Sequence, residues 1–244
     1  LADATSMLAQ AYINTKYLDS AITQLEIASL NTKKNDERGR YRFIQGQLYN
    51  TLGVKDSANM AFEKVIALKR KTPRIYLISA HIEKAKNFNF ESGNKLEFLK
   101  LLTNLEEDRE NRPYLDKIYY QIAQYHKENN SDTLAIVYYN KSLRKASKDN
   151  YLNALSYQTL GDMSFNTSEY KNAGAYYDST LLNLKRNTKQ FRVIQRKRDN
   201  LDDVIYYEDI AQRNDSILTL VNLPEDKRLE LFTNYTEGLK LKAK

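Results

Sequence analysis

Apolar and small residues recur along this chain at three- and four-residue intervals, the spacing of one buried helix face. No segment between turn signals alternates apolar and polar residues for long enough to predict a sheet. A longer period lies over this short one. Five times, a small residue is followed twelve positions later by another small residue and four after that by a bulky one. The sets are Ala9/Ala21/Leu25, Gly46/Ala58/Phe62, Ala80/Ser92/Leu96, Ala123/Ala135/Tyr139 and Gly161/Ala173/Tyr177. Within each set the first small residue falls on one helix and the second on the next, where a missing side chain lets two antiparallel helices approach closely. The pattern predicts an all-α array of about five helix pairs.

Neighbouring positions keep the same register. Leu8, Ile122 and Leu160 come one residue before the first small position; Tyr76, Tyr119 and Tyr157 come four before it; Leu18 and Tyr170 come three before the second. All are expected on inward faces. The punctuation agrees: Thr72-Pro73 predicts an N-cap followed by a first-turn proline opening the third pair. Asn130-Ser131-Asp132, Asn166-Thr167-Ser168 and Asp56-Ser57 fall where second helices must begin.

These positions resemble the tetratricopeptide repeat. Residues 154–187 match best, through Tyr157, Leu160, Gly161, Tyr170, Ala173 and Tyr177; the first repeat matches through Leu8, Ala9, Tyr12, Ala21 and Ala28. The second keeps Gly46, Tyr49, Ala58 and Phe62 but has Gln45 where leucine is usual, and the third keeps only Tyr76, Ala80, Ser92 and Leu96. The resemblance implies an α-solenoid spanning residues 1–187, with repeats near 2–35, 39–72, 73–106, 116–149 and 154–187. The family period is about 34 residues, and the widest interval here falls between the third and fourth repeats. There the charged run Glu106 to Glu110 is expected to lengthen a helix or form a loop.

Beyond Leu184 the repeat fades, and residues 188–244 read as capping helices for the last hydrophobic face. Phe191, Ile194, Leu201, Val204 and Ile205 are expected on one helix, and Ile210, Ile217, Leu218 and Val221 on the next. A third starts after Leu223-Pro224.

With seven glycines and three prolines in 244 residues, composition agrees with long helices and short turns. The absence of cysteine excludes disulfides, thiolate metal sites and a cysteine nucleophile. No apolar run approaches the ~20 residues of a membrane-spanning helix. Leu1 already lies within a helical pattern, so the chain is expected to be an excerpt of a longer protein with targeting elements upstream. A net charge of +7 is small beside 38 basic and 31 acidic residues, so most charge is interspersed and solvating. One local excess stands out: Lys185, Lys189, Arg192 and Arg196 at helical spacing form a candidate anion-binding stripe. No aromatic interleaving along the stripe suggests base stacking, which weakens the option of single-stranded nucleic acid as partner.

Candidate chemistry is sparse. His81 and His126 fall in different repeats without a second histidine at ligand spacing, and His126 occupies a position suited to packing. No phosphate loop, zinc cluster or nucleophile motif occurs. The reading is therefore a non-enzyme without metal, cofactor or small-molecule substrate. Its working surface is expected to be the concave groove of the first helices. Ser6, Gln10, Ile13 and Asn14 would line it in the first repeat, Phe43, Gln47 and Asn50 in the second, and Leu77, His81 and Lys84 in the third. Tyr120, Gln124 and Lys127 follow in the fourth, then Gln158, Asp162 and Phe165 in the fifth. Amides, aromatics and lysines suit a polypeptide ligand. Ser6 and Gln10 replace the lysine and asparagine of chaperone-binding family members, which disfavours that role.

The segments Arg213 to Leu220, Leu223 to Leu229, Phe43 to Tyr49 and Phe62 to Leu68 resemble the PorW/SprE lipoproteins of the Bacteroidetes type IX secretion and gliding machinery. That resemblance implies a periplasmic protein tethered to the outer membrane by an upstream lipidated cysteine. Its partners would be proteins of that machinery, from the outer-membrane translocon to periplasmic components. The alternative reading is a basic helical-repeat protein binding nucleic acid or another anionic partner through the stripe.

Overall fold

The computed structural model describes residues 1–145 and 148–242, and no strand occurs among the described residues. The chain forms two compact bodies, Leu1–Leu152 and Asn153–Lys244. The first contains α1 (Ala2–Asn14), α2 (Leu18–Asn31), α3 (Asn35–Thr51), α4 (Lys55–Ile66), α5 (Arg74–Lys86), α6 (Lys95–Glu107), α7 (Leu115–Glu128) and α8 (Asp132–Arg144). α1 packs on α2, α3 on α4 and α7 on α8, while α2–α3 and α4–α5 contacts join successive pairs. First helices also lie side by side, α3 against α5 and α5 against α7.

The helix crossings depend on small residues. Ala9, Ala21, Ala58, Ala80, Ala123 and Ala135 are completely buried. At Gly46 the constraint is tightest, because a Cβ there would lie 2.4 Å from Cε1 of Phe62. In four of the five sets the bulky member, Leu25, Phe62, Tyr139 or Tyr177, is buried in the space that the small residues leave. Leu8, expected on an inward face, is an exception at 43% exposed.

Three intra-pair turns share one backbone device. Lys16, Gly53 and Asn130 have φ of 64°, 78° and 55°. The N–H of the following residue donates to the carbonyl five residues back: Tyr17 to Tyr12, Val54 to Tyr49 and Ser131 to His126, each at 2.9 Å. This left-handed closure satisfies carbonyls at the helix end and reverses the chain in few residues. Glycine and asparagine tolerate such a φ better than lysine does. The expected side-chain caps are absent at these turns: neither Val54 nor Ser131 makes a side-chain cap hydrogen bond. Thr72 also fails to cap, since Pro73 is itself the N-cap in extended conformation and α5 starts at Arg74. The Thr72 hydroxyl is instead packed over Gly39, where a Cβ would lie 2.0 Å from Oγ1.

The third pair departs from the sequence expectation. Ser92 is exposed and Leu96 is 80% exposed, so neither serves as the small or bulky member. α6 starts at Lys95, and the fourth and eighth residues of the helix, equivalent to Ala58 and Phe62 in α4, are Phe98 and Leu102. A benzyl group thus replaces a methyl at the crossing, which needs a wider interhelical space. The rings of Phe88 and Phe90 fill it: Phe88 stacks on Phe98 at 4.0 Å between centroids, and Phe90 meets Phe98 at 6.0 Å and Tyr125 at 6.1 Å. The charged run ends α6 with Glu106 and Glu107 and then, through the capping Asp108, opens a short 3-10 turn, Arg109–Tyr114. Its Asn111 is completely buried, accepting from Arg74 Nε at 2.9 Å and donating to the Leu105 carbonyl at 2.9 Å.

Gln45, the departure from the leucine usual in the second repeat, belongs to a buried polar link. Its Nε2 donates to Glu26 of α2 at 2.8 Å, and its Oε1 accepts from the buried Arg42 at 3.2 Å, while Arg42 also pairs with Glu26. Burial opposes ionisation of Glu26, but hydrogen bonds from Gln45 and Arg42 and the nearby Arg42 and Lys64 charges outweigh it and hold the carboxyl below its usual range.

The second body begins inside α9 (Asn150–Asn166) and continues through α10 (Tyr170–Asn183), α11 (Lys189–Asp199), α12 (Asp202–Asn222) and α13 (Glu225–Lys242). The α9–α10 turn repeats the left-handed closure at Ser168, φ 61°, with Glu169 N–H donating to Ser164 at 2.8 Å. Gly161 faces Tyr177 as Gly46 faces Phe62, a Cβ there lying 2.8 Å from Cε1 of the ring. Ile194 of α11, with Leu201 and Ile205, packs against Ala173 and Tyr177. α11 ends at Asp199 with Asn200 as its C-cap, so Leu201, Val204 and Ile205 lie beyond it and not on one helix with Phe191 and Ile194. α12 contributes no fully buried residue.

The crossings yield a prediction with an internal control. Gly46→Ala and Gly161→Ala should each destabilise their body by about 1–2 kcal/mol, since overpacking costs more than the gain in helix propensity. Gly238→Ala in α13 meets nothing within 4 Å and should be neutral or stabilising by up to about 1 kcal/mol. Urea midpoints of the three variants read out both signs.

Candidate protein-binding site

In the first body, adjacency of α3, α5 and α7 brings the expected groove residues of the second to fourth repeats onto neighbouring helices, but many are occupied by internal contacts. Phe43 packs between Phe62 and Tyr76, its ring centroid 5.8 and 5.9 Å from theirs. Asn50 and Asn59 both accept from Asn87 Nδ2, at 2.7 and 3.1 Å, an amide link from α3 and α4 to the end of α5. Lys84 pairs with Glu63 at 2.6 Å. Gln124 donates to the Tyr120 hydroxyl at 2.9 Å, and the Tyr120 ring lies 5.8 Å from that of Tyr139. Leu77, expected at the surface, is buried because α5 lies between α3 and α7. On α1, Gln10 donates to Asn14 at 3.1 Å and both are exposed, as is Gln47 on α3; Ser6, Ile13 and Lys127 are half-buried.

The two histidines differ. His126 stacks on Tyr138 with centroids 5.5 Å apart, a packing role, and burial lowers its pKa. His81 is more deeply placed, and its buried Nδ1 has no hydrogen-bond partner. Burial first, then the charges of Lys84 and Arg74, push its imidazole down to about 4. No group of three or more histidine, aspartate or glutamate residues placed to hold a metal occurs among the described residues.

The second body offers the better-formed site. Asp162 and Phe165 of α9, both expected groove residues, open onto a cavity of about 620 Å³ with Asn166, Tyr170, Tyr177, Lys197, Asn200, Leu201 and Val204. Helical spacing puts Asp162, Phe165 and Asn166 on one face of α9. The left-handed turn at Ser168 then swings Tyr170 against Phe165, ring centroids 5.5 Å apart. Asp162 accepts from the Tyr177 hydroxyl at 2.7 Å and from Lys197 Nζ at 2.6 Å, and Lys197 lies over the Tyr177 ring at 5.6 Å. Burial and the Asp162 carboxylate push the Tyr177 phenol above its usual pKa, so it stays a donor through neutral pH. The wall is therefore aromatic and aliphatic, with one ion pair and two free-ended amides to orient a ligand, the composition of a recognition pocket. No group in it is placed as a nucleophile activated by a base. Gln158, the remaining groove residue, accepts from Gln190 of α11 at 2.8 Å.

Lys185, Lys189, Arg192 and Arg196 are all exposed, and none forms an ion pair within the described residues. Their neighbours Lys197 and Arg198 are committed to Asp162, and to Asp178 and Asp202, respectively. Sequence reasoning missed Tyr170, Lys197, Asn200 and Val204 as cavity residues. Tyr170 was legible only as a packing position, and the other three lie outside the repeat register.

The fold is that of an all-α, tetratricopeptide-repeat-like solenoid. No known family profile and no curated protein matches the sequence. Among solved structures, the chain is similar to PilF of Pseudomonas aeruginosa, with a TM-score of 0.59 and 15% identity over 96% of this chain and 97% of that one. It is likewise similar to PilW, described as a widely conserved type IV pilus biogenesis factor, with a TM-score of 0.60 and 14% identity over 95% of this chain and 98% of that one. At such identities the likeness establishes the fold.

The buried His81 gives a testable pH dependence. A histidine with depressed folded pKa binds fewer protons than the unfolded chain, so stability present above pH 6.5 declines as pH falls toward about 4. The loss should reach at most about 3 kcal/mol. His81→Gln should flatten the urea midpoint between pH 7 and 4, whereas His126→Gln should change that slope less.

Proposed function

We propose that this chain is a non-catalytic protein-binding scaffold of a bacterial envelope secretion apparatus. The observation that carries the reading is the aromatic-walled cavity around Asp162 and Phe165, which occupies groove positions of a helix-pair array and contains no catalytic grouping. The fold likeness to PilW, a pilus biogenesis factor, supports an envelope setting. The resemblance of Phe43 to Tyr49, Phe62 to Leu68, Arg213 to Leu220 and Leu223 to Leu229 to the PorW/SprE group supports the narrower assignment to type IX secretion and gliding. In that assignment the chain is periplasmic and held at the outer membrane by an upstream lipid anchor. Residues 1–187 form the repeat array, residues 188–244 its C-terminal helical segment, and the scaffold links the translocon to periplasmic components. No helix among the described residues is long and apolar enough to cross a membrane.

A photo-crosslinking residue at Phe165, compared with one at the exposed Leu182 on α10, tests this in intact cells. Adducts at position 165 should contain envelope secretion proteins and be lost on Lys197→Glu. Recovery of cytosolic proteins alone, or equal labelling at both positions, would overturn it.

The unpaired cations at Lys185, Lys189, Arg192 and Arg196 support a second reading, binding of nucleic acid or another polyanion. If it holds, duplex or single-stranded DNA should bind at low salt, and Arg192→Gln with Arg196→Gln should reduce the salt slope by about two. Negligible binding at low salt removes it.

A further inference from the structure

A separate concavity of about 750 Å³ opens in the first body at the elbow between α4 and α5. Ile66, Leu68 and Leu77 form its apolar part, while Lys69, Arg70, Lys71 and Arg74 surround it with positive charge. Arg70 and Arg74 are partly neutralised: Arg74 pairs with Asp108 and, at 3.0 Å, with Glu110, which Arg70 also meets at 3.3 Å. Lys69 and Lys71 form no ion pair within the described residues, so the elbow retains an excess of positive charge. Two further features mark the place. Lys69 has a φ of 50°, an uncommon left-handed conformation for a residue with a long side chain. His81, at the back of the same concavity, carries the unpartnered Nδ1.

We infer that this elbow binds an acidic polypeptide segment, with an apolar side chain on Ile66 and Leu77 and flanking carboxylates on Lys69 and Lys71. Charge complementarity fixes the sign of the ligand, and the apolar wall distinguishes a peptide from an inorganic ion, which would leave most of the space unfilled. A nucleic-acid strand fits less well, because no phenylalanine, tyrosine or tryptophan lines the concavity for base stacking and Asp108 forms part of its wall. The inference rests on the protein-binding reading above but concerns a different body and different residues.

The test uses a fluorescein-labelled peptide of sequence Glu-Glu-Leu-Asp-Glu, its neutral counterpart Gln-Gln-Leu-Asn-Gln, and an unlabelled DNA duplex as competitor, each with the whole chain. The acidic peptide should bind, weaken about tenfold between low and physiological salt, and shift the His81 ring resonances while leaving those of His126 in place. Lys69→Gly with Lys71→Gln should weaken it by at least about tenfold without loss of fold, since glycine suits the left-handed backbone at position 69. Equal binding of the neutral peptide, no effect of the double variant, or displacement by DNA at lower concentration than by unlabelled acidic peptide would overturn the inference. Such failure alongside persistent crosslinking at Phe165 rejects this site alone, whereas loss of both rejects the scaffold reading as well.

Discussion

Two antiparallel helices in this chain close on one another only where a residue with almost no side chain lies at their crossing. Gly46 beneath Phe62 and Gly161 beneath Tyr177 show the constraint at its limit, since a single added carbon would fall well inside van der Waals distance of the ring. The buried alanines at 9, 21, 58, 123 and 135 are milder versions of it. Everything else follows from that approach. It places a large side chain such as Phe62 or Tyr177 in the space created and sets the inward face of each first helix.

The turns obey a second, coupled constraint. A helix pair this close needs a connection that reverses in a few residues, and the left-handed residue five before the second small position supplies it at Lys16, Gly53, Asn130 and Ser168. Where the crossing is not tight, the turn changes too. The third pair carries Phe98 at the crossing, has a longer connection from Asn87 to Asn94, and fills its wider space with stacked phenylalanines. Loss of the small residue and loss of the short turn are one event seen at two levels.

The same packing consumes or releases the groove residues. Phe43, Asn50, Lys84 and Tyr120 lie near the expected surface but are held by neighbours, which makes them parts of the scaffold as much as of a binding face. Asp162 and Phe165 are released into a cavity that they line together with Tyr170 and Tyr177 of α10 and the Lys197 to Val204 stretch. Positive charge also survives at the α4–α5 elbow. Asp108 and Glu110 reach Arg74 and Arg70, while Lys69 and Lys71 form no ion pair within the described residues.

The helical class, the pairing and four of the five crossings were legible in the sequence, because a small residue twelve positions before another is a local, periodic consequence of close packing. Gln45 was legible as a departure from the pattern but not as a member of the Arg42–Glu26 link, since its partners lie on another helix. The third pair was misplaced by six residues because an insertion shifts the register without erasing the spacing that chance supplies at Ser92 and Leu96. Tertiary structure alone decided which groove positions are free, where Leu201 leaves its helix, and that Lys197 closes on Asp162 across thirty-five residues. Periodicity records what each helix buries against its neighbour in the chain. A cavity is assembled from side chains whose separation in sequence carries no period, so only the folded chain brings them together.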